Sequence, residues 1–522
     1  MNSTRRLSPA LIVAGANIIL AVVAFVREAV LGATIGTEYS ADAFALSLYL
    51  ADAQANTIFY SSIVFAAIPV LSGHVVDRRR DSLLRTLNSA TGTGVAVSAA
   101  LWTVNASAAR LLISTLGAGF PAPERSLATS MFLLLLPLIP CYILSAVFIS
   151  GLQACSEFGV PAFGPVVLNV LFIAGLGATM SHLGPAGLSV SYSVGAVAML
   201  LLQAVTLHVK GLPIRPSFDI CDPGLRQMVT ALVPIALVQV FNQPTYLVER
   251  ILAGRFGEGG VASLTYAFKV SQIPVWVFVA ALGAVAFPAM SRFAHLNDVD
   301  GMSGVLEKAA ELTMAITLPS AVVFRVFARE VTAAIFMRGA FGAASLASTS
   351  QVLRGYALAP VCHGLLYLLL RLCYACRDTA TPIIATLAGS AVTVLADLIL
   401  TPSLGLEALG FGSAIGLTVS AAFITWRVRT RLAREAPRRL ALAAGSILVC
   451  CIIMLMVMFA VEGCLPVHVE AITEEQRLFR TGALFSAGFA SYATAYLFLG
   501  SGALRFRGVV ASNRADHGAP RE

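Results

Sequence analysis

The chain has 522 residues, of which 58% are hydrophobic and 12% charged, with a mean hydropathy of +0.84 and a net charge of +8. Soluble domains carry about 25% charged residues, which excludes an ordinary cytoplasmic enzyme, a secreted disulfide scaffold and a disordered protein. What remains is an all-α polytopic membrane protein, in which about fourteen helices of roughly 20 apolar residues each, joined by short loops, account for the length.

In chain order, the apolar runs predict spans over 8–34, 39–73, 87–115, 125–153, 161–181, 185–209 and 224–254. They continue over 261–291, 305–337, 346–375, 380–400, 406–426, 440–461 and 478–500. The first run follows Arg5 and Arg6 as a signal peptide would, but it continues past residue 30 through Arg27-Glu28 and reads as a retained span. Pro69, Pro140, Pro234, Pro274, Pro288, Pro319 and Pro360 fall inside spans and predict kinks. Arginines alternate between the two sides. Arg78-Arg79-Arg80, Arg215, Arg292, Arg377, the run Arg427 to Arg439 and the C-terminal Arg505 to Arg521 share one side with Arg5 and Arg6. The opposite side holds few, among them Arg125 and Arg255, and its last loop is acidic at Glu462, Glu470, Glu474 and Glu475. A bias of roughly five to one predicts both termini in the cytoplasm.

Several chemistries have no motif to carry them. None of the three lysines, Lys210, Lys269 and Lys308, precedes Ser or Thr, so no phosphate-binding P-loop is present. The seven histidines form no His-Glu-x-x-His pair. Cys373-Tyr-Ala-Cys376 stands alone without a second pair, and core packing is its expected role. The basic residues sit in short loops between apolar runs, which fits membrane topology and not nucleic-acid binding.

An internal repeat is legible. Arg27-Glu28 and Gly36 match the Glu249 region and Gly257, Ala67-Ile68-Pro69 matches Ala286-Phe287-Pro288, and Ala154-Cys155 with Pro161 matches Ala375-Cys376 with Pro382. The three matches share nearly one offset, that from Gly36 to Gly257. It covers six spans, so the two copies run parallel. This predicts an N-lobe over 1–217, a C-lobe over 218–432, two extra helices over 433–502 and a cytoplasmic tail over 503–522.

Ionisable residues inside spans are costly and face a cavity or a partner. They include Arg27 and Glu28, Asp42 and Asp52, Glu249-Arg250, Lys269, Arg325, Arg329-Glu330 and Asp397. Pairing or snorkelling at an interface is expected for Arg325, Arg329 and Glu330. Arg27 and Lys269, on early helices of the two repeats, are expected to line a central cavity suited to a phosphate or diphosphate. Asp397, with Thr393 four residues before it on the same helical face, suits a cation.

Val160-Pro161-Ala162-Phe163-Gly164-Pro165 with Leu168-Asn169 resembles a segment of the MurJ (MviN) lipid II flippases of the MOP superfamily. So do Leu318-Pro319-Ser320, Phe336-Met337-Arg338-Gly339-Ala340-Phe341, Tyr374 to Pro382, and Phe25-Val26-Arg27-Glu28 with Asp42-Ala43-Phe44, in order from about residue 8 to about residue 430. The resemblance implies alternating access around a cationic cavity. It implies substrate contacts at Arg27, Glu28, Asp42 and Lys269, and a groove for a lipid tail on the last two helices. It also implies a sodium site of Glu249, Thr393, Asp397 and Ser413. The other arrangement these residues allow is a Glu249–Arg250 or Asp397–Arg pair without an ion. Two arginines that the resemblance leads one to expect are absent: Ala21 stands at one position, and Ala53-Gln54-Ala55-Asn56-Thr57 replaces an Arg-rich stretch.

The expected function is movement of an undecaprenyl-diphosphate-linked glycopeptide between leaflets of a bacterial inner membrane, with membrane lipid as the surroundings, no nucleic acid and no cofactor beyond sodium. The alternatives are a MOP transporter for another polyprenyl-diphosphate glycan, a cation-coupled drug exporter, an integral-membrane glycosyltransferase, or a scaffold that does not transport.

Overall fold

The computed structural model describes residues 9–429, 432–433, 435–464 and 474–499. Arg5, Arg6, Arg431, Arg434, Glu470, both outermost span ends and the tail 503–522 lie outside the described residues.

The described residues are predominantly helical. Thirteen stretches are long and apolar enough to cross a membrane, and one of them, Gly159–Val209, is a hairpin of two helices, giving fourteen. They are α1 (Pro9–Ile35), α2 (Tyr39–Val76), α3 (Arg80–Leu116), α4 (Ala122–Ala154), α5 (Gly159–Leu183), α6 (Gly187–Val209) and α7 (Pro223–Ala253). The series continues with α8 (Gly260–His295), α9 (Val299–Val326, extended by Ala328–Phe336), α10 (Ala343–Ala375), α11 (Ala380–Leu404), α12 (Glu407–Val428), α13 (Ala436–Cys464) and α14 (Glu474–Leu499). This is the all-α polytopic class expected from composition. Large apolar side chains such as Phe65, Val285 and Ile399 point outward and exposed, as hydrocarbon-facing residues do.

Each helix starts and stops for local reasons. Asp222 opens α7 by accepting from Leu225 N at 2.8 Å ahead of Pro223, and Asp298 opens α9 by accepting from Gly301 N at 2.8 Å. The α1 and α5 ends turn through Gly36 and Gly184 in the left-handed region, and their counterparts Gly257 and Gly405 in the second repeat do the same. The repeat extends over whole helices. At the offset that carries Gly36 to Gly257, α5 superposes on α11 from first residue to last, and Leu138–Ala154 in α4 matches Ala359–Ala375 in α10. Both second helices carry a π-helical turn, Ala53–Tyr60 in α2 and Val275–Val279 in α8.

The chain divides into two compact units, Met1–Ala262 with Gly339–Phe341, and Ser263–Arg338 with Gly342–Glu522. Within the first, α1 packs on α5, α5 on α6, and α7 on α2 and α3. The motif Gly339-Ala340-Phe341 docks here, Ala340 N donating to Ala33 O at 2.8 Å, so a Cβ on Gly36 would strike Ala340 O. Within the second unit, α11 packs on α12, α10 on α9 and α12, and α13 on both α9 and α14. Tyr492 of α14 donates to Ala315 O of α9 at 2.7 Å. Cys373 lies in the buried core of this unit with Leu306, Leu372 and Ile424, which gives the C-x-x-C pair the packing role expected of it.

Candidate transport site

In the first unit, α1 presents Arg27 to α5. Its Nη1 donates to Asn169 Oδ1 at 2.7 Å, while Nε and Nη2 donate to Glu28 Oε1 at 2.9 and 2.5 Å. The Arg27 side chain is 15% exposed and Glu28 is buried, so the pair is largely desolvated, a setting in which removing one partner strands the other's charge. Asn169 is itself oriented. Its Nδ2 donates to Pro165 O at 2.7 Å, which turns its carbonyl oxygen toward Arg27. The Tyr192 ring lies with its centroid 5.9 Å from the guanidinium. Three of the five guanidinium N–H groups are thus directed within the lobe, and two remain for an anion.

Asp42 is fully buried on α2, and its carboxylate accepts from Gly259 N at 2.7 Å and Ala262 N at 2.6 Å. Gly259 to Ala262 open α8 and belong to the first unit. Asp42 therefore caps a helix start, with a structural job in addition to any contact with substrate. Tyr39 N donates in turn to Glu258 Oε1 at 2.9 Å. Glu249 is buried on α7 in the same unit, and the neighbouring Arg250 lies 3.8 Å from the Tyr49 ring centroid.

Lys269 is half-buried on α8 in the second unit. That unit also holds Thr393 and Asp397 on α11 and Ser413 on α12, the helix packed against it. Gly412, next to Ser413, lies so close to Asp397 that a Cβ there would overlap Oδ1, and a Cβ on Gly416 would overlap Thr393 Oγ1. Asp397 and Thr393 are buried at this seam. Among the described residues no group of three or more His, Cys, Asp or Glu side chains clusters in metal-binding fashion. Arg325 pairs with Glu407 near a helix end, as expected for an interfacial charge.

The sequence alone singles out Arg27 and Glu28, but it marks Asn169 only as a motif residue and leaves Tyr192 unmarked. Two further polar pairs escaped notice. Gln54 and Asn105 exchange amide hydrogen bonds at 2.9 Å in each direction, and His363 Nδ1 lies 2.6 Å from Gln272 Oε1. An amide or imidazole in the middle of an apolar run is the signal that could have found them.

The sequence matches the family described as Lipid II flippase MurJ over residues 31–470. The chain belongs to that family. It is similar to the lipid II flippase MurJ of Burkholderia cenocepacia, 26% identical over 437 residues that cover 81% of this chain and 83% of that protein. It is also similar to the probable lipid II flippase MurJ of Rhizobium meliloti, 25% identical over 428 residues, 80% of each chain. Among solved structures, lipid II flippase MurJ in an inward closed conformation matches with a TM-score of 0.78 at 18% identity, covering 96% of this chain and 100% of that one. An inward-facing multidrug resistance MATE family transporter of the MOP superfamily matches with a TM-score of 0.69 at 15% identity, over 81% and 98%. At such identities these two matches speak for the fold.

Proposed function

We propose that the protein carries lipid II, the undecaprenyl-diphosphate-linked peptidoglycan precursor, from the inner to the outer leaflet of a bacterial cytoplasmic membrane by alternating access. The observation that carries this reading is family membership across residues 31–470. The geometry around Arg27 supports it, because a guanidinium held at three N–H groups keeps two for a diphosphate oxygen. The protein is a transporter and not an enzyme. Both termini face the cytoplasm, the arginine-rich side. Lobes 1–217 and 218–432 alternate around the substrate, Lys269 supplies the second cation, and residues 433–502 supply the groove for the lipid tail.

Sodium binding by Glu249, Thr393, Asp397 and Ser413 belongs to the same proposal. In the register of the repeat these residues correspond to Glu28, Phe172, Leu176 and Tyr192, while Val248 stands where the first repeat has Arg27. The first repeat thus neutralises its buried glutamate with its own arginine.

Another polyprenyl-diphosphate glycan is the second reading, favoured by the neutral Gln54–Asn105 pair on the stretch where arginines are expected. Depleting a cell of its own lipid II flippase and expressing this chain separates the two. Rescue of growth supports lipid II, and failure of a well-expressed, membrane-inserted protein points to the other glycan.

A further inference from the structure

We propose a second ligand site, for a phosphate group, at the arginine-rich end of the second repeat, distinct from the transport residues. A cavity of about 730 Å³ lies there between the turn joining α8 to α9 and the end of α10, lined wholly by the second unit. Arg377 and His295 line it, and Arg292 stands beside it, its guanidinium 5.0 Å from the centroid of the lining Phe293 ring.

The lining sets Arg377 and His295 beside one carboxylate. The lining carboxylate, Asp298, is engaged as the cap of α9 through Gly301 N, and Asp378, next to Arg377, accepts from both the N–H and the hydroxyl of Thr381. The backbone holds the lining in place. Asn297 and Arg377 sit in left-handed turns with φ of +54° and +58°, closed by bonds from Asp298 N to Phe293 O at 3.0 Å and from Asp378 N to Cys373 O at 2.9 Å.

The first repeat has the same turns, with Arg78 and Ser156 in the left-handed region, but different chemistry on them. Val76 and Ser156 occupy the positions equivalent to His295 and Arg377. There the chain covers itself: Lys210 pairs with Glu157 at 2.7 Å and Arg80 donates to Gly211 O at 2.9 Å. The second repeat instead leaves a cavity that sets Arg377 and His295 against an apolar wall of Phe293, Met302 and Tyr374. That combination recognises a phosphate joined to an apolar or aromatic body. The source is an anionic phospholipid headgroup or a soluble phosphate compound.

Cys376 lines the cavity, and Cys155 is its counterpart in the first repeat, so each serves as a reporter. The full chain in phosphatidylcholine nanodiscs, with or without phosphatidylglycerol, would be labelled with a maleimide and both thiols followed by peptide mass spectrometry. Phosphatidylglycerol should slow Cys376 by about threefold, as expected once two-thirds of sites are filled, and leave Cys155 unchanged. Arg377→Ala with His295→Ala should abolish the protection, and Arg377→Lys should keep most of it. Protection by millimolar inorganic phosphate, with none from phosphatidylglycerol, assigns the site to a soluble phosphate compound. Equal slowing of both thiols, protection that survives the double substitution, or no protection by either probe would overturn the proposal.

Discussion

In the first repeat α5 and α6 meet where a Cβ on Gly195 would strike Leu168 O, and Phe172 and Tyr192 close the seam with ring centroids 5.4 Å apart. At the matching place in the second repeat, α11 and α12 meet through Gly412 and Gly416, and the aromatic pair gives way to Thr393 and Ser413, with Asp397 in place of Leu176. One hairpin seals itself with rings and leaves the charge to Arg27 and Glu28 on α1. The other buries a carboxylate within the hairpin. Because both hairpins are held by close backbone approach at glycine, their side chains were free to diverge without loss of the fold.

The glycines provide the harshest way to break this comparison. Gly416→Leu should lower stability by about 1–3 kcal/mol or more through overpacking against Thr393, and Gly195→Leu should do comparable damage in the first repeat. Thermal unfolding of the purified variants in detergent checks this, and a tolerated Gly416→Leu would mean the second seam is looser than the first.

Next comes the residue that aims Arg27. Asn169→Ala should reduce flipping by up to about tenfold while the protein stays folded, since one charge-assisted hydrogen bond, worth roughly 1.5–3 kcal/mol, is lost while those to Glu28 still hold the guanidinium. Asn169→Asp should place a second carboxylate on Arg27 and draw the guanidinium away from substrate phosphate, weakening substrate binding. Lipid II binding measured for both variants beside flipping separates positioning from simple destabilisation. The second repeat supplies the counterpart: Asp397→Asn should remove sodium dependence from flipping, whereas Glu28→Gln should not. Reconstituted transport in sodium and in potassium buffers reads that difference.

The smallest effect lies at the edge. The hydrogen bond from Lys210 holds the Glu157 carboxyl below its ordinary range. A depressed carboxyl pKa adds stability above the unfolded value of about 4.3 and loses it as pH falls through the folded value. Both side chains are partly exposed, so Glu157→Gln should cost less than about 1 kcal/mol at pH 7 and nothing in strong acid. Denaturation at the two pH values tests it.

Much of the fold was legible because membrane helices announce themselves by apolar length, and the repeat by Pro161 with Pro382 and Gly36 with Gly257. The full register was not, because most matched positions, such as Phe172 and Thr393, share no side-chain chemistry and are equivalent only in backbone. Arg27 and Asp397 stood out as charges in apolar runs. The cap made by Asp42 on the start of α8 did not, since it depends on a segment far along the chain, beyond five intervening helices. Nor did the aim of Asn169 at Arg27, which joins α5 to α1.

The central claim is that a lobe-held guanidinium clamps the substrate diphosphate. Its most direct test is lipid II translocation in proteoliposomes by wild-type protein, Arg27→Ala and the surface control Arg79→Ala. Arg27→Ala should lose about tenfold to a hundredfold in substrate affinity, the equivalent of one such phosphate contact, with Arg79→Ala near wild type. Wild-type flipping and affinity in folded Arg27→Ala would contradict the clamp and point to a substrate without a diphosphate.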